Sequence, residues 1–249
     1  MKRILLLLAS ILNLIISYSQ TSLQDTADFY IQIKNLDLIT IFAPDSFLIE
    51  GPGAERLNVK RAEALGFIDT SYTRFYIHIT SARKSIDNPY EYKISGKTRV
   101  RTNICSFQGT ITFKISKLYL DPEFPKVKVG FAIGEILFYE DSAQTGSGLI
   151  KGKLTTHFYL DKTQKPRYNS LMWQADGFCN NQVVGTWTSY KTNKSRKCNW
   201  GDYRIPEASD FDMGAGEFSP ADKYLKNGWQ SYRDSFGKQQ KTLDRWWAK

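Results

Sequence analysis

Between Phe29 and Ile205, apolar and polar residues alternate with a period of two, in runs bounded by Gly, Pro, Asn and Asp. That period is the mark of half-buried β-strands. Phe75, Ile77 and Ile79 fall on one face of such a strand, with Arg74, Tyr76 and His78 on the other. Ile111, Phe113 and Ile115 repeat the pattern, as do Leu154, Thr156, Phe158 and Leu160. Earlier strands are predicted over Phe29–Ile33, Asp37–Phe42 and Phe47–Ile49. Between them and Thr73, the pattern over Ala54–Leu65 predicts a helix closed by Gly66, a residue suited to a left-handed C-terminal position.

Four glycines, Gly109, Gly134, Gly152 and Gly185, each stand just before an alternating run. Their spacing is too uneven for a solenoid or a propeller. A glycine there suits a bulge or sharp bend that coils a strand toward closure. The expected fold is mainly β: an antiparallel meander forming a β-sandwich or an up-and-down barrel. Character changes after Pro206. Ala208–Gly216 reads as an acidic loop, and Ser219-Pro220-Ala221-Asp222 opens a short C-terminal helical segment. Tyr224, Leu225, Trp229, Tyr232 and Phe236 follow near-helical spacing up to a stop at Gly237, an aromatic stripe suited to packing on a sheet.

The first nineteen residues obey a different pattern. Lys2 and Arg3 precede an apolar run from Ile4 to Ile16, and Ser17 and Ser19 stand at −3 and −1 before Gln20. This is the layout of a secretory signal peptide. As a helix the run spans only about 20 Å, against roughly 30 Å of hydrocarbon. The expected organisation is a signal peptide over 1–19, a β-rich domain over 20–205, and an acidic loop with a helical segment over 206–249. The mature chain is then periplasmic or extracellular. Cleavage removes two of the positive charges behind the formal net charge of +9. The remaining excess is ordinary for a soluble protein, and a nucleic-acid partner is not expected.

An exported chain with three cysteines, Cys105, Cys179 and Cys198, suggests one disulfide and one leftover thiol. Cys179–Cys198 is the nearest pairing. Leu171–Cys179 and Gln182–Tyr190 read as a hairpin around Asn180-Asn181, which leaves that pairing dependent on the path of residues 191–197. A bridge from Cys105 to either of the others is the alternative, and three free thiols the third.

Candidate chemistry is sparse. Gly134-Glu-Ile-Leu-Phe-Tyr-Glu140 resembles the catalytic strand of β-jelly-roll glycoside hydrolases, which implies Glu135 and Glu140 as a carboxyl pair flanking one bond. An offset of five places them on opposite faces unless a bulge intervenes. Asp210, Asp212 and Glu217 offer oxygen ligands to a hard cation such as Ca²⁺, without the full EF-hand pattern. His78 and His157 are the only histidines, too few for a three-His zinc site. Ser81-Ala-Arg-Lys84 and Ser235-Phe-Gly-Lys238 fit a serine–lysine spacing but lack its partner motifs. Gly185-Thr186-Trp187 resembles the G-x-W of lipocalins, where it belongs to the first barrel strand; here it comes late in the chain.

All six tryptophans lie in the last third. Trp173, Trp200 and Trp229 are the candidates for stacking on a sugar ring or another flat apolar ligand. On the predicted hairpin, Trp187 shares a face with Met172 and Phe178, and Trp173 takes the opposite, exposed face. As a helix, the last residues place Leu243, Trp246 and Trp247 opposite Lys238, Lys241, Arg245 and Lys249, the composition of an interfacial anchor or of a segment docked on its own domain or on a partner. No cofactor is expected. The leading expectation is a non-catalytic, exported binding or interaction module whose partner is a carbohydrate or an envelope protein. The alternatives are a cell-envelope glycan hydrolase and a structural or assembly protein.

Overall fold

The computed structural model describes residues 25–50, 56–121, 123–124, 126–236 and 245–248. The predicted signal peptide and most of the predicted terminal anchor lie outside them.

In chain order the elements are β1 (Thr26–Asp28), α1 (Tyr30–Ile33), α2 (Ile39–Phe42), β2 (Ser46–Glu50), β3 (Arg56–Lys60), β4 (Leu65–Ile68), β5 (Thr73–Lys84), β6 (Glu91–Val100), β7 (Asn103–Tyr119) and β8 (Lys128–Glu140). They continue with β9 (Gly148–Leu160), β10 (Pro166–Tyr168), β11 (Asn180–Ser189), β12 (Ser195–Asp202) and α3 (Gln230–Arg233). Short 3₁₀ turns cover Ser209–Phe211, Asp222–Asn227 and Trp246–Ala248. The fold is mainly antiparallel β, as the alternation predicts.

Neighbour pairing decides between sandwich and barrel. Strands β4 to β9 pair in succession, then β9 with β11, β11 with β12, and β12 with β4. The meander therefore closes on itself as an eight-stranded up-and-down barrel. β1 and β10 extend β7 and β9 at their ends, and β2–β3 is a separate hairpin.

The barrel is filled by the inward set of the predicted alternation: Phe75, Ile77, Ile111, Phe113, Leu154, Thr156, Phe158 and Leu160 are all buried. Lys93, Lys114, Lys151, Lys153 and Glu135 face outward. Ile115 departs from the pattern. The β7–β8 register shifts between Phe113 and Ile115, which turns Ile115 outward and brings Ser116 into the interior. Gly152 and Gly185 serve close backbone approach and not the expected bulge: the β9–β11 register runs through them without a shift. Gly152 faces Gly185 across β9–β11, and a Cβ on Gly152 would stand 2.9 Å from Gly185 Cα.

Four local expectations change. Phe29–Ile33 and Asp37–Phe42 are not strands but contain the short helices α1 and α2. Their apolar residues are spent at helical spacing: Ile33, Leu38, Ile41 and Phe42 are buried while Ile31 is exposed. Of the helix predicted over Ala54–Leu65, residues 54–55 lie outside the described residues, and the rest is β3, the connection 61–64 and the start of β4. Gly66 is a strand residue pressed against Trp200 and Phe75, where a Cβ would sit 2.9 Å from Trp200 Cβ. The hairpin predicted around Asn180-Asn181 does not form. Residues 171–177 make turns, and β11 pairs with β9 and β12. The C-terminal helix is divided, because Gly228 at φ 101° separates Asp222–Asn227 from α3. The aromatic stripe still packs on the barrel exterior: Trp229 lies fully buried with Phe67, Phe211 and Phe218.

Candidate functional site

The closure of the barrel is incomplete on one side. β4 has four residues, and they pair only with Thr73–Phe75 of the twelve-residue β5. Over Tyr76–Lys84, β5 keeps β6 on one side and has no strand neighbour on the other among the described residues. Residues 60–64 run past this gap, and a cavity of about 430 Å³ leads from it into the barrel. Ile77, Ile111, Ile136, Phe138, Leu154 and Trp200 form its apolar interior, while Asp45, Lys60, Arg61, Glu63, His78 and Arg245 ring its mouth. The volume falls within the roughly 300–1,000 Å³ of small-molecule sites, and so does the combination of apolar wall and few polar groups.

The end of the barrel beside the gap is plugged by the N-terminal helices. Lys84 Nζ donates to Lys34 O and Leu36 O. Tyr92 Oη accepts from Leu38 N at 2.9 Å, fastening the α1–α2 segment across the opening. Leu38, Ile41 and Phe42 are thereby pressed into the interior.

One wall carries a buried polar knot. Arg61 reaches Asp202 with Nη2–Oδ1 at 2.8 Å and Nε–Oδ1 and Nε–Oδ2 at 3.1 Å. Tyr168 Oη donates to Asp202 Oδ2 at 3.1 Å, and Asn181 Nδ2 donates to the same oxygen at 2.7 Å. A carboxylate this deeply buried is tolerable only when its lone pairs are filled in this way. Burial and the Asp202 charge push the Tyr168 phenol far upward, so it stays a donor.

The C-terminal segment covers the gap from outside. Trp246 is 1% exposed and donates from Nε1 to Glu63 Oε1 at 2.9 Å. Trp247 stacks on His78 with ring centroids 3.8 Å apart, and Arg245, Trp247 and Ala248 line the cavity. Burial, with Arg61 nearby, holds the His78 imidazole below its ordinary pKa. The two tryptophans are thus docked on their own barrel, one of the roles expected of this segment.

The structure redistributes the residues singled out in the sequence. Of the tryptophan candidates, Trp200 lines the cavity. Trp173 is half-buried in a satellite cluster and donates to Tyr203 Oη. Trp229 donates to Tyr72 O at 2.7 Å within its own core, so it stacks on no ligand. Glu135 and Glu140 take opposite sides of the wall. Glu135 is exposed beside Lys114, whereas Glu140 lies inside the barrel near its other end. There it accepts from Thr98 Oγ1, Gly148 N and Trp187 Nε1. The bulge that would align the pair does not occur between them, and they share no cleft. Burial raises the Glu140 carboxyl above its ordinary pKa, against the pull of those three donors.

The acidic loop is occupied by the protein's own cations. Asp212 pairs with Arg204 at 2.7 Å and accepts from Gly214 N and Ser219 N. Asp210 pairs with Lys223, and Glu217 is exposed. No cluster of three or more His, Cys, Asp or Glu suited to a metal occurs among the described residues. The three cysteines are free thiols. Cys198 lies on β12 across from Gly185, while Cys179 precedes β11 at the Asn180↔Asp202 end. About five residues of strand, roughly 16 Å at ~3.3 Å each, separate the two positions. The Cys179–Cys198 pairing is therefore not made, although the hairpin that argued against it does not form either. Burial pushes the Cys105 thiol up to about 11.

A second cavity, of about 460 Å³, opens at the other end of the barrel, where Asp69, Arg101, Asn103, Thr145 and Arg196 come from turns and strand ends. Its inner carboxylate, Glu140, is already committed to three donors, so the gap-side cavity is the better site. Sequence reasoning missed Arg61 and Asp202, read Asn181 as a turn residue, and placed Trp247 on a docked terminal face without linking it to a cavity. Only the tolerance of Asn181 for positive φ signalled a special position: it stands at φ 48°, though at the start of a strand and not in a turn. Comparison of the chain with protein-family models, with curated proteins and with solved structures finds no match.

Proposed function

We propose that this chain is a binding barrel for a small, largely apolar molecule, exported by its N-terminal segment and acting outside the cytoplasm. One observation carries the reading: a cavity of about 430 Å³, with Ile77, Ile111, Ile136, Phe138, Leu154 and Trp200 inside it and polar groups around them, enters the barrel through the gap beside β5. Well-packed interiors contain few voids larger than a water molecule. A void of this size, with polar groups gathered at the mouth, has the anatomy of a ligand site. The aliphatic and aromatic side chains of the interior favour a molecule with an apolar body over the carbohydrate expected from the tryptophans.

The glycan-hydrolase reading loses its carboxyl pair, because Glu135 and Glu140 face opposite sides of the wall.

The test uses N-phenyl-1-naphthylamine, whose fluorescence rises in apolar surroundings. Saturable enhancement at one site per chain is expected, lost in Ile79→Trp, which puts a larger side chain on a residue lining the cavity, with the melting transition retained. No saturable enhancement, or an unchanged response in a folded Ile79→Trp, overturns the proposal.

A further inference from the structure

We infer that the molecule taken by this barrel is uncharged and presents a hydrogen-bond donor, an alcohol hydroxyl or an N–H, to Asn181. The inference rests on the cavity reading and narrows it to a chemical class.

Asn181 lies on the cavity wall beside Val183 and Trp200 and is 4% exposed. Its amide orientation is determined by its neighbours. Nδ2 has two hydrogens, and both are committed: one to Asp202 Oδ2 at 2.7 Å, the other to Ile41 O at 3.2 Å. Exchanging the amide oxygen and nitrogen would set an acceptor against two acceptors. Oδ1 is therefore fixed as the outstanding group, buried and without a hydrogen-bond partner. Thr156 Oγ1 is the other buried side-chain oxygen in that condition among the described residues, and it does not line this cavity.

A buried acceptor without a partner costs about 1–3 kcal/mol, so a site that leaves one open rewards a ligand that donates to it. The charge pattern sets the second requirement. The cation beside Asn181 is Arg61, which already spans Asp202 with Nε and Nη2. A carboxylate placed at Asn181 brings only acceptors to an acceptor and stands near the Asp202 charge. A neutral hydroxyl supplies the missing proton and adds no charge.

Three probes of matched chain length separate the possibilities: decanol, decyl methyl ether and decanoate, each displacing N-phenyl-1-naphthylamine from the full chain. Decanol is expected to bind about tenfold more tightly than either of the others, the worth of one good buried hydrogen bond. In Asn181→Gly, which accepts the positive φ without strain, the advantage is expected to shrink to within about twofold while the ether keeps its affinity. Equal affinities of decanol and ether in the native protein overturn the inference and leave the cavity reading standing. So does tighter binding of decanoate. An undiminished preference in Asn181→Gly reassigns the receiving group and overturns it too. Should Asn181→Gly fail to fold, the three-probe comparison in the native chain decides alone. If neither the fluorophore nor any decyl probe binds, the cavity reading fails and this inference with it.

Discussion

The indole of Trp247 lies flat on the imidazole of His78, ring centroids 3.8 Å apart and planes 12° from parallel. Through this contact the last residues of the chain become part of the wall around the cavity. β5 supplies His78 from the stretch where it has no strand neighbour toward β4. The stack thus covers backbone that barrel closure leaves open. Trp246 anchors the same segment, with Arg99 over its ring at 5.0 Å and Tyr76 against its edge.

Removing Trp246–Lys249 is expected to speed exchange of N-phenyl-1-naphthylamine with the cavity by about tenfold or more, since the segment covers the entrance. Stopped-flow dissociation measures it. An unchanged off-rate in a folded, truncated chain would mean that ligand enters elsewhere.

The His78 stack makes stability fall in acid. Burial lowers the imidazole pKa in the fold, so the folded state prefers the neutral ring. The stabilisation is complete above the unfolded value of about 6.5 and is lost as pH falls through the folded value. Thermal melts from pH about 7 to about 5 are expected to show a larger drop for the native protein than for His78→Phe, which keeps a stacked ring that does not titrate.

Asp202→Asn is expected to destabilise the chain by about 3–5 kcal/mol, the cost of leaving Arg61 without its counter-ion in a buried site. The Asp202 side chain is 1% exposed, so solvent gives little relief. Urea unfolding measures the loss; a change under about 1 kcal/mol would show that the pair contributes little.

At the other end of the barrel, Glu140→Ala leaves Thr98, Gly148 and Trp187 without their shared acceptor. A loss of about 3 kcal/mol or more is expected from the unsatisfied donors, with binding in the gap-side cavity retained in the folded fraction. Chemical unfolding paired with N-phenyl-1-naphthylamine titration tests both halves, and loss of binding from a fully folded variant would contradict the second.

Trp229→Ala separates core from site. Trp229 is fully buried among Phe211, Phe218 and Tyr232, so a loss of about 3–5 kcal/mol is expected. Ligand affinity of the folded variant is expected to stay within about twofold of native. Calorimetric melts and probe titration read the two effects.

The long strands were legible in the chain because each buries one face, and burial imposes a period of two that short-range pattern reveals. Phe75 and Ile77 against Arg74 and Tyr76 needed nothing beyond their order. Short elements carry too few repeats to separate periods, so Phe29–Ile33 reads as a strand though its core is the helical turn of α1. Asn180-Asn181 was a turn signal by residue type, yet Asn180 is held by Nδ2 to His157 O and by Oδ1 from His157 N, which extends the ladder to β9. Tertiary pairing outweighed local preference there.

By itself, the sequence determined the antiparallel strands, the inward and outward sets of the long ones, and the parity that keeps Glu135 and Glu140 apart. Only the tertiary structure decided that β4 meets β12, that β4 stops short of most of β5, and that residues as distant as Arg61, Asn181, Asp202 and Trp247 surround one cavity. The physical reason is range. Alternation is imposed on each strand by its own burial, whereas closure and the cavity depend on where separate strands end relative to one another, which no local pattern encodes.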